Sequence, residues 1–175
     1  IGNMFNIILD DKIIFRSIMQ YYKIPVSECL FVFKDGNFFY EDCLDTPLDD
    51  TTIEHIIQCN ETERIFAKCY TGGQGNGICL FERRNGVYYH NNSIVNTEYL
   101  RQLCGKSHFF FEKQLINERS ILALNRSCLN TVRVIVKQEN GKTIVTDEMI
   151  YLTADKEEAY YIAQGNTKVN ENTFI

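Results

Sequence analysis

Short apolar runs alternate with polar turns along the chain, and their period switches several times between that of a helix and that of a strand. Residues 10–22, "DDKIIFRSIMQYY", place Ile13, Ile14, Ile18 and Tyr21 behind Asp10 and Asp11, which predicts a helix with an acidic N-terminal signal. "KIPVSECLFVFKDGNFFY" is β-branched and aromatic, and Asp35-Gly36 breaks it as a hairpin turn does. "LDDTTIEHIIQCN" predicts a second helix, with its N-cap near residue 50 and Ile53, Ile56 and Ile57 on one face. "RIFAKCY" and "GICLFERRNGVYYHNN" predict two or three strands, with Asn85-Gly86 as a turn. "NTEYLRQLCG" predicts a short helix closed by Gly105, "HFFFEKQL" a strand, and "CLNTVRVIVKQENGKTIVTDEMIYLTA" two strands around Asn140-Gly141. Short helices among antiparallel strands make the expected class α+β.

One stretch departs from this regular punctuation. Four of the ten glycines, Gly72, Gly73, Gly75 and Gly77, fall within "TGGQGNG", between a strand carrying Lys68 and the strand that follows. Clustered glycines provide either a long hairpin turn or a backbone that approaches a ligand closely, and both readings stand on spacing alone. Backbone N–H groups in such a loop can face a phosphate, with the lysine adding a point charge. The spacing is not that of a Walker loop or a dinucleotide fingerprint, because no Gly-Lys-Ser/Thr ends the loop and no helix follows Gly77.

Composition narrows the remaining classes. The chain has 175 residues, is 45% hydrophobic and contains 12 Phe and 10 Tyr, enough for a real core. A net charge of −5 argues against wrapping nucleic acid. No apolar run reaches bilayer length, so no membrane span is expected. The seven cysteines include no C-x-x-C pair, which suits reduced thiols in a cytoplasmic setting rather than a disulfide framework. His55, His90 and His108 lack ligand spacing and are expected as surface or satisfied polar groups. The first methionine is Met4, so the sequence is expected to be a fragment.

The order of lysine strand, glycine loop, strand, helix and an aromatic strand ending in Glu112 resembles that of ATP-grasp enzymes. "AKCYTGGQGNGI" together with "FFFEKQLINERSILALNRSCLNTVRVIV" is similar to the sugar-transfer-associated ATP-grasp family, over about residues 10–137. That resemblance implies an incomplete ATP-grasp-like module over 1–143, with ATP and Mg²⁺ as cofactors. It also implies ADP-forming ligation of a carboxylate or sugar-linked substrate in surface polysaccharide or glycan assembly. Carried over, Lys68 contacts the α- or β-phosphate under a flap of Gly72, Gly73, Gly75 and Gly77. Glu112, Lys113 and Leu115 hold adenine, mainly through backbone groups. Glu118 reaches the ribose, Lys12 approaches the nucleotide from the first lobe, and Arg133 is the catalytic group at the γ-phosphate. The structural alternatives are a solvated Lys68, a surface pairing of Glu112 with Lys113 or Arg119, an ion-paired Arg133 and an ordinary helix-start Lys12. Cys69 stands where the family has proline.

The family's metal ligands, an acidic residue and an Asp/Glu-x-Asn set, are expected after Arg133 and are not found there. Instead "TDEMIYLTADKEEAYYIAQGN" resembles a segment of the bacterial RNA polymerase β subunit, over about residues 144–175. Asp155, Glu157 and Glu158 read as a solvated acidic turn and not as a metal site. The resemblance makes a β-hairpin-like tail the second domain. It supplies the alternative function, a non-catalytic fragment related to DNA-directed transcription.

Overall fold

The computed structural model describes residues 11–71, 77–117, 119, 129 and 131–151. The chain divides into two compact units, Ile1–Gln114 and Leu115–Ile175.

In the first unit the turn chemistry acts as its residue types dictate. Asp35-Gly36 and Asn85-Gly86 take positive φ at both positions (+50° and +82°, +51° and +83°), the backbone of a tight type I′ hairpin. Asn91 and Asn92 do the same at +48° and +67° and add a short strand that the apolar pattern left open. The strands so joined are β1 (Cys29–Lys34), β2 (Asn37–Tyr40), β3 (Cys43–Leu48), β4 (Arg64–Cys69), β5 (Ile78–Arg84), β6 (Val87–His90), β7 (Ser93–Ile94) and β8 (Phe109–Lys113). They form one eight-stranded sheet in the order β3-β2-β1-β8-β4-β5-β6-β7. Every recorded pairing within it is antiparallel. Two sequence-local meanders are therefore joined by the last strand of this sheet, β8, which pairs with β1 on one side and β4 on the other.

Among the described residues this unit has three helices: α1 (Lys12–Tyr21), α2 (Asp50–Cys59) and α3 (Thr97–Cys104). Each starts on the side-chain oxygen of an Asx residue. Asp11 accepts from the N–H groups of Ile13 and Ile14, Asp49 from that of Thr52, and Asn96 from that of Tyr99. Ile53 and Ile57 of α2 and Leu100 and Cys104 of α3 pack on one sheet face with Phe31, Phe33, Phe38, Phe81, Phe109 and Phe111. The other face carries a smaller cluster of Val32, Phe39, Tyr70 and Phe110, against which Ile13 of α1 packs. Strand alternation explains the split, since Phe109 and Phe111 point one way and Phe110 the other.

The face that α1 presents differs from the apolar stripe expected of it. Tyr21 is 80% exposed and Ile14 is exposed as well, whereas the buried residue of the helix is Arg16 at 6%. The apolar periodicity marked the helix and its packing residue Ile13, but Ile14 and Tyr21 stay exposed while Arg16, with its buried partners, turns inward.

The second unit shows one hairpin, β9 (Thr131–Glu139) and β10 (Lys142–Tyr151), turning at Asn140-Gly141 with φ of +52° and +73°. A register shift between Val145 and Asp147 marks a bulge. Val134, Ile135, Val136, Ile144 and Val145 are exposed. No helix among the described residues is long and apolar enough to cross a membrane.

Gly77 is the glycine on which the stem of the glycine-rich stretch depends. Its φ is +72°, its carbonyl accepts from the Cys69 N–H at 3.0 Å, and an added Cβ would lie 2.9 Å from the Cys69 Cβ. Gly36 has a similar φ but open space around it. Gly77→Ala is expected to cost about 2–3 kcal/mol and Gly36→Ala only about 1 kcal/mol, the difference being the contact with Cys69. Urea unfolding of the two variants measures both, and equal losses would show that Cys69 yields freely.

Candidate functional site

The face of the sheet under α1 holds a chain of charges. β8 sets Glu112 opposite Phe66 and Phe110 opposite Lys68, so Lys68 and Glu112 sit on adjacent strands one step apart and project to the same face. Their side chains form an ion pair, with Glu112 Oε1 as the acceptor. The second carboxylate oxygen, Oε2, accepts from the Ser27 hydroxyl and from Arg16 Nη1 at 3.4 Å. Arg16 also donates to the Ser27 hydroxyl at 2.9 Å and carbonyl at 2.7 Å. It grips Glu41 with two N–H groups at 2.7 and 3.2 Å. The guanidinium lies 5.4 Å from the centre of the Phe110 ring.

Burial is uneven along this chain. The side chains of Arg16, Glu41 and Glu112 are 7, 13 and 6% exposed, whereas that of Lys68 is 30% exposed. Two carboxylates and two cations balance formally, which is how a desolvated carboxylate stays tolerable on a sheet face. Burial works to lower the Arg16 pKa, but the hydrogen bond and charge of Glu41 outweigh it and hold the group above its ordinary value. Burial likewise drives Cys29 up to about 12 and raises Tyr70, so both stay neutral beside the ionic chain. The Tyr70 hydroxyl is buried and has no hydrogen-bond partner among the described residues.

Lys12 joins the same edge. Its N–H donates to the Tyr70 carbonyl at 2.9 Å and its ammonium to the Cys69 carbonyl at 3.1 Å. The first residue of α1 is thereby tied to the strand end that leads into the glycines. Lys68 and Glu112 are thus brought together, while Lys12 reaches the carbonyl of Cys69, whose N–H is bonded to Gly77. Glu112 does not take the surface pairing with Lys113 or Arg119 that residue type allowed, because strand alternation turns it under α1. Lys113 pairs with Glu28 at 2.6 Å, and its N–H is committed to the Glu28 carbonyl at 2.9 Å. Leu115 is half exposed and opens the second unit. Arg133 is on β9, also in the second unit. Gly72, Gly73, Gly75 and Glu118 lie outside the described residues, as do Asp155, Glu157 and Glu158. Arg16, Ser27 and Glu41 carried no motif; the one available signal was an arginine at helical spacing from Lys12 and Ile13.

The histidines are bonded in place. His90 Nδ1 lies 2.8 Å from the Tyr99 hydroxyl, His108 meets Asp35 at 3.0 Å, and His55 sits 3.5 Å from the Cys59 sulfur. Among the described residues no three His, Cys, Asp or Glu side chains are grouped to hold a metal ion. Glu112 is already matched by two cations, which leaves it poorly suited to a divalent ion.

Residues 133–175 match the family model of the RNA polymerase beta subunit external 1 domain. The matched stretch is about a quarter of the chain and starts within β9, at Arg133 itself. No curated protein and no solved structure matches the chain.

Two measurements check the site. Glu112→Gln is expected to lower stability by about 1–3 kcal/mol, because it removes the carboxylate shared by Arg16, Ser27 and Lys68 while Arg16 keeps Glu41; urea unfolding reads this loss, and an unchanged stability would contradict the buried pairing. Iodoacetamide at pH 8 on the folded chain should label exposed Cys43 and Cys59 well before Cys29 and Cys104. Burial holds both of the latter thiols at about 12. Peptide mass spectrometry gives the order.

Proposed function

We propose that residues 133–175 act as a segment of the RNA polymerase beta external 1 type, with a non-catalytic place in DNA-directed transcription. The family match carries this reading, and it extends the resemblance seen in the tail by about ten residues toward the N-terminus. The exposed valines and isoleucines of the β9–β10 hairpin agree with it, since an isolated two-stranded ribbon needs further strands or a partner to be stable. A transcription role places the chain in the cytoplasm, with protein subunits as its partners. If the reading holds, the full chain co-purifies with RNA polymerase subunits and loses them when residues 144–175 are removed. Association that survives the deletion would assign it to the rest of the chain.

A second reading concerns the first unit and rests on the Lys68–Glu112–Arg16 chain beside the stem of the glycine stretch. We infer that this unit binds a nucleotide through its phosphates, with Lys68 as the main charge and Lys12 as a helper at the Cys69 carbonyl. The ATP-grasp resemblance supports it, as does the position of the partly exposed Lys68 at the open end of an otherwise buried network. Adenine contacts by Lys113 and Leu115, ribose contacts by Glu118, a γ-phosphate contact by Arg133, and a carboxylate or sugar-linked acceptor remain proposals on that resemblance alone. Mg²⁺ does not fit the described residues, since they offer no grouped carboxylates. Titration with ATP or ADP should show binding by the folded chain. Lys68→Ala should weaken it by about 10- to 100-fold, the worth of one charge-assisted contact. A folded chain that binds neither nucleotide would overturn this second reading.

A further inference from the structure

The ionic chain under α1 has one accessible end, and what lies behind that end controls it. Lys68 is held by Glu112 Oε1, while the other oxygen of the same carboxylate is held by Ser27 and Arg16. Arg16 in turn is divided between Glu112 and Glu41, with the shorter contacts on the Glu41 side, 2.7 Å against 3.4 Å. The Lys68 ammonium also lies 6.0 Å from the centres of both the Phe66 and Phe110 rings, so aromatic walls leave it little freedom to swing away. A phosphate arriving at Lys68 competes with Glu112 for one ammonium. The strength of that competitor depends on how fully Arg16 has already neutralised it.

We propose that Arg16 is a positioning residue for Lys68. It pins and neutralises the far side of Glu112, so that Lys68 is both fixed in place and left with charge to offer a phosphorylated ligand. Glu41 opposes this by drawing Arg16 away. The proposal rests on the phosphate-binding reading of the first unit and adds the residues that set the affinity of that site. It gives opposite signs to two neighbours. Loss of the Arg16 charge strengthens the hold of Glu112 on Lys68 and weakens phosphate binding. Loss of the Glu41 charge frees Arg16 for Glu112 and tightens phosphate binding. A network that merely supports the fold would weaken binding in both cases.

Titration of the full chain with inorganic tripolyphosphate by calorimetry, at low ionic strength and without divalent ions, tests this. Relative to wild type, Arg16→Met is expected to weaken binding by roughly tenfold, and Arg16→Lys to recover most of the loss. Glu41→Gln is expected to tighten it by about threefold, while Lys68→Met weakens it by about 10- to 100-fold. Ser27→Ala, a milder change at Glu112 Oε2, should weaken binding slightly and stands in if Arg16→Met does not fold. Weaker binding in Glu41→Gln, or unchanged binding in Arg16→Met with Lys68→Met still weakened, would overturn the role of Arg16. Wild type that binds no tripolyphosphate, or binds it as well as Lys68→Met does, would instead overturn the phosphate reading and this inference with it.

Discussion

The first unit depends on one strand taking its place late. β8 follows β7 in sequence, yet it lies between β1 and β4, and without it the two meanders share no strand contact. Its five residues, "FFFEK", serve both faces at once. Phe109 and Phe111 enter the larger core, Phe110 enters the smaller one, and Glu112 meets Arg16 and Lys68. Pairings about 80 residues apart must therefore close before either core is complete, and the entropy of that closure is offset mainly by aromatic burial. The charge network is a product of the same insertion. Lys68 is on β4, Arg16 on α1 and Ser27 just before β1, and only β8 puts a carboxylate within reach of all three.

That dependence explains how much was legible in the sequence. Turns were the most legible feature, because Asp35-Gly36, Asn85-Gly86 and Asn140-Gly141 carry their geometry in the residue pair itself. Helix starts came next, since Asp11, Asp49 and Asn96 cap through their own side chains. Strand existence followed from β-branched and aromatic runs for most strands, but β3, "CLDTPL", carries no such run and was not expected. Strand order did not, because nothing local tells β8 to pass between β1 and β4. Lys68 and Glu112 were legible as individual candidates through the ATP-grasp resemblance, but their mutual pairing depends on the β4–β8 register. Arg16, Ser27 and Glu41 escaped for the same reason. Their meaning is tertiary, and each alone reads as an ordinary surface residue.

The two units pose different physical problems. The sheet of the first satisfies its own apolar faces with three helices and two cores, and its unusual feature is polar. The hairpin of the second has the reverse character, with an ordinary polar turn and aliphatic residues left exposed on the strands. The family match falls on that second kind of surface and begins inside β9. The ATP-grasp resemblance covers the first unit and runs on through "LNTVRV", whose last four residues begin β9. The two likenesses overlap on only a few residues around Arg133, so that arginine is the position whose meaning depends most on which likeness governs it.

A buried ion-pair network is not by itself evidence of a site, because such networks also serve structure alone and shift charges in doing so. The distinction here rests on asymmetry. An exposed charge is screened and adds little to a network that serves structure alone. This one buries Arg16, Glu41 and Glu112 but leaves Lys68 partly open, beside Lys12 and the residues that lead into four glycines. The buried members carry the cost of desolvation among themselves, and the open member keeps a fixed cation facing outward. If Lys68 takes a phosphate as proposed, its ordering by Glu112 is completed during folding, so the ligand need not supply it on binding.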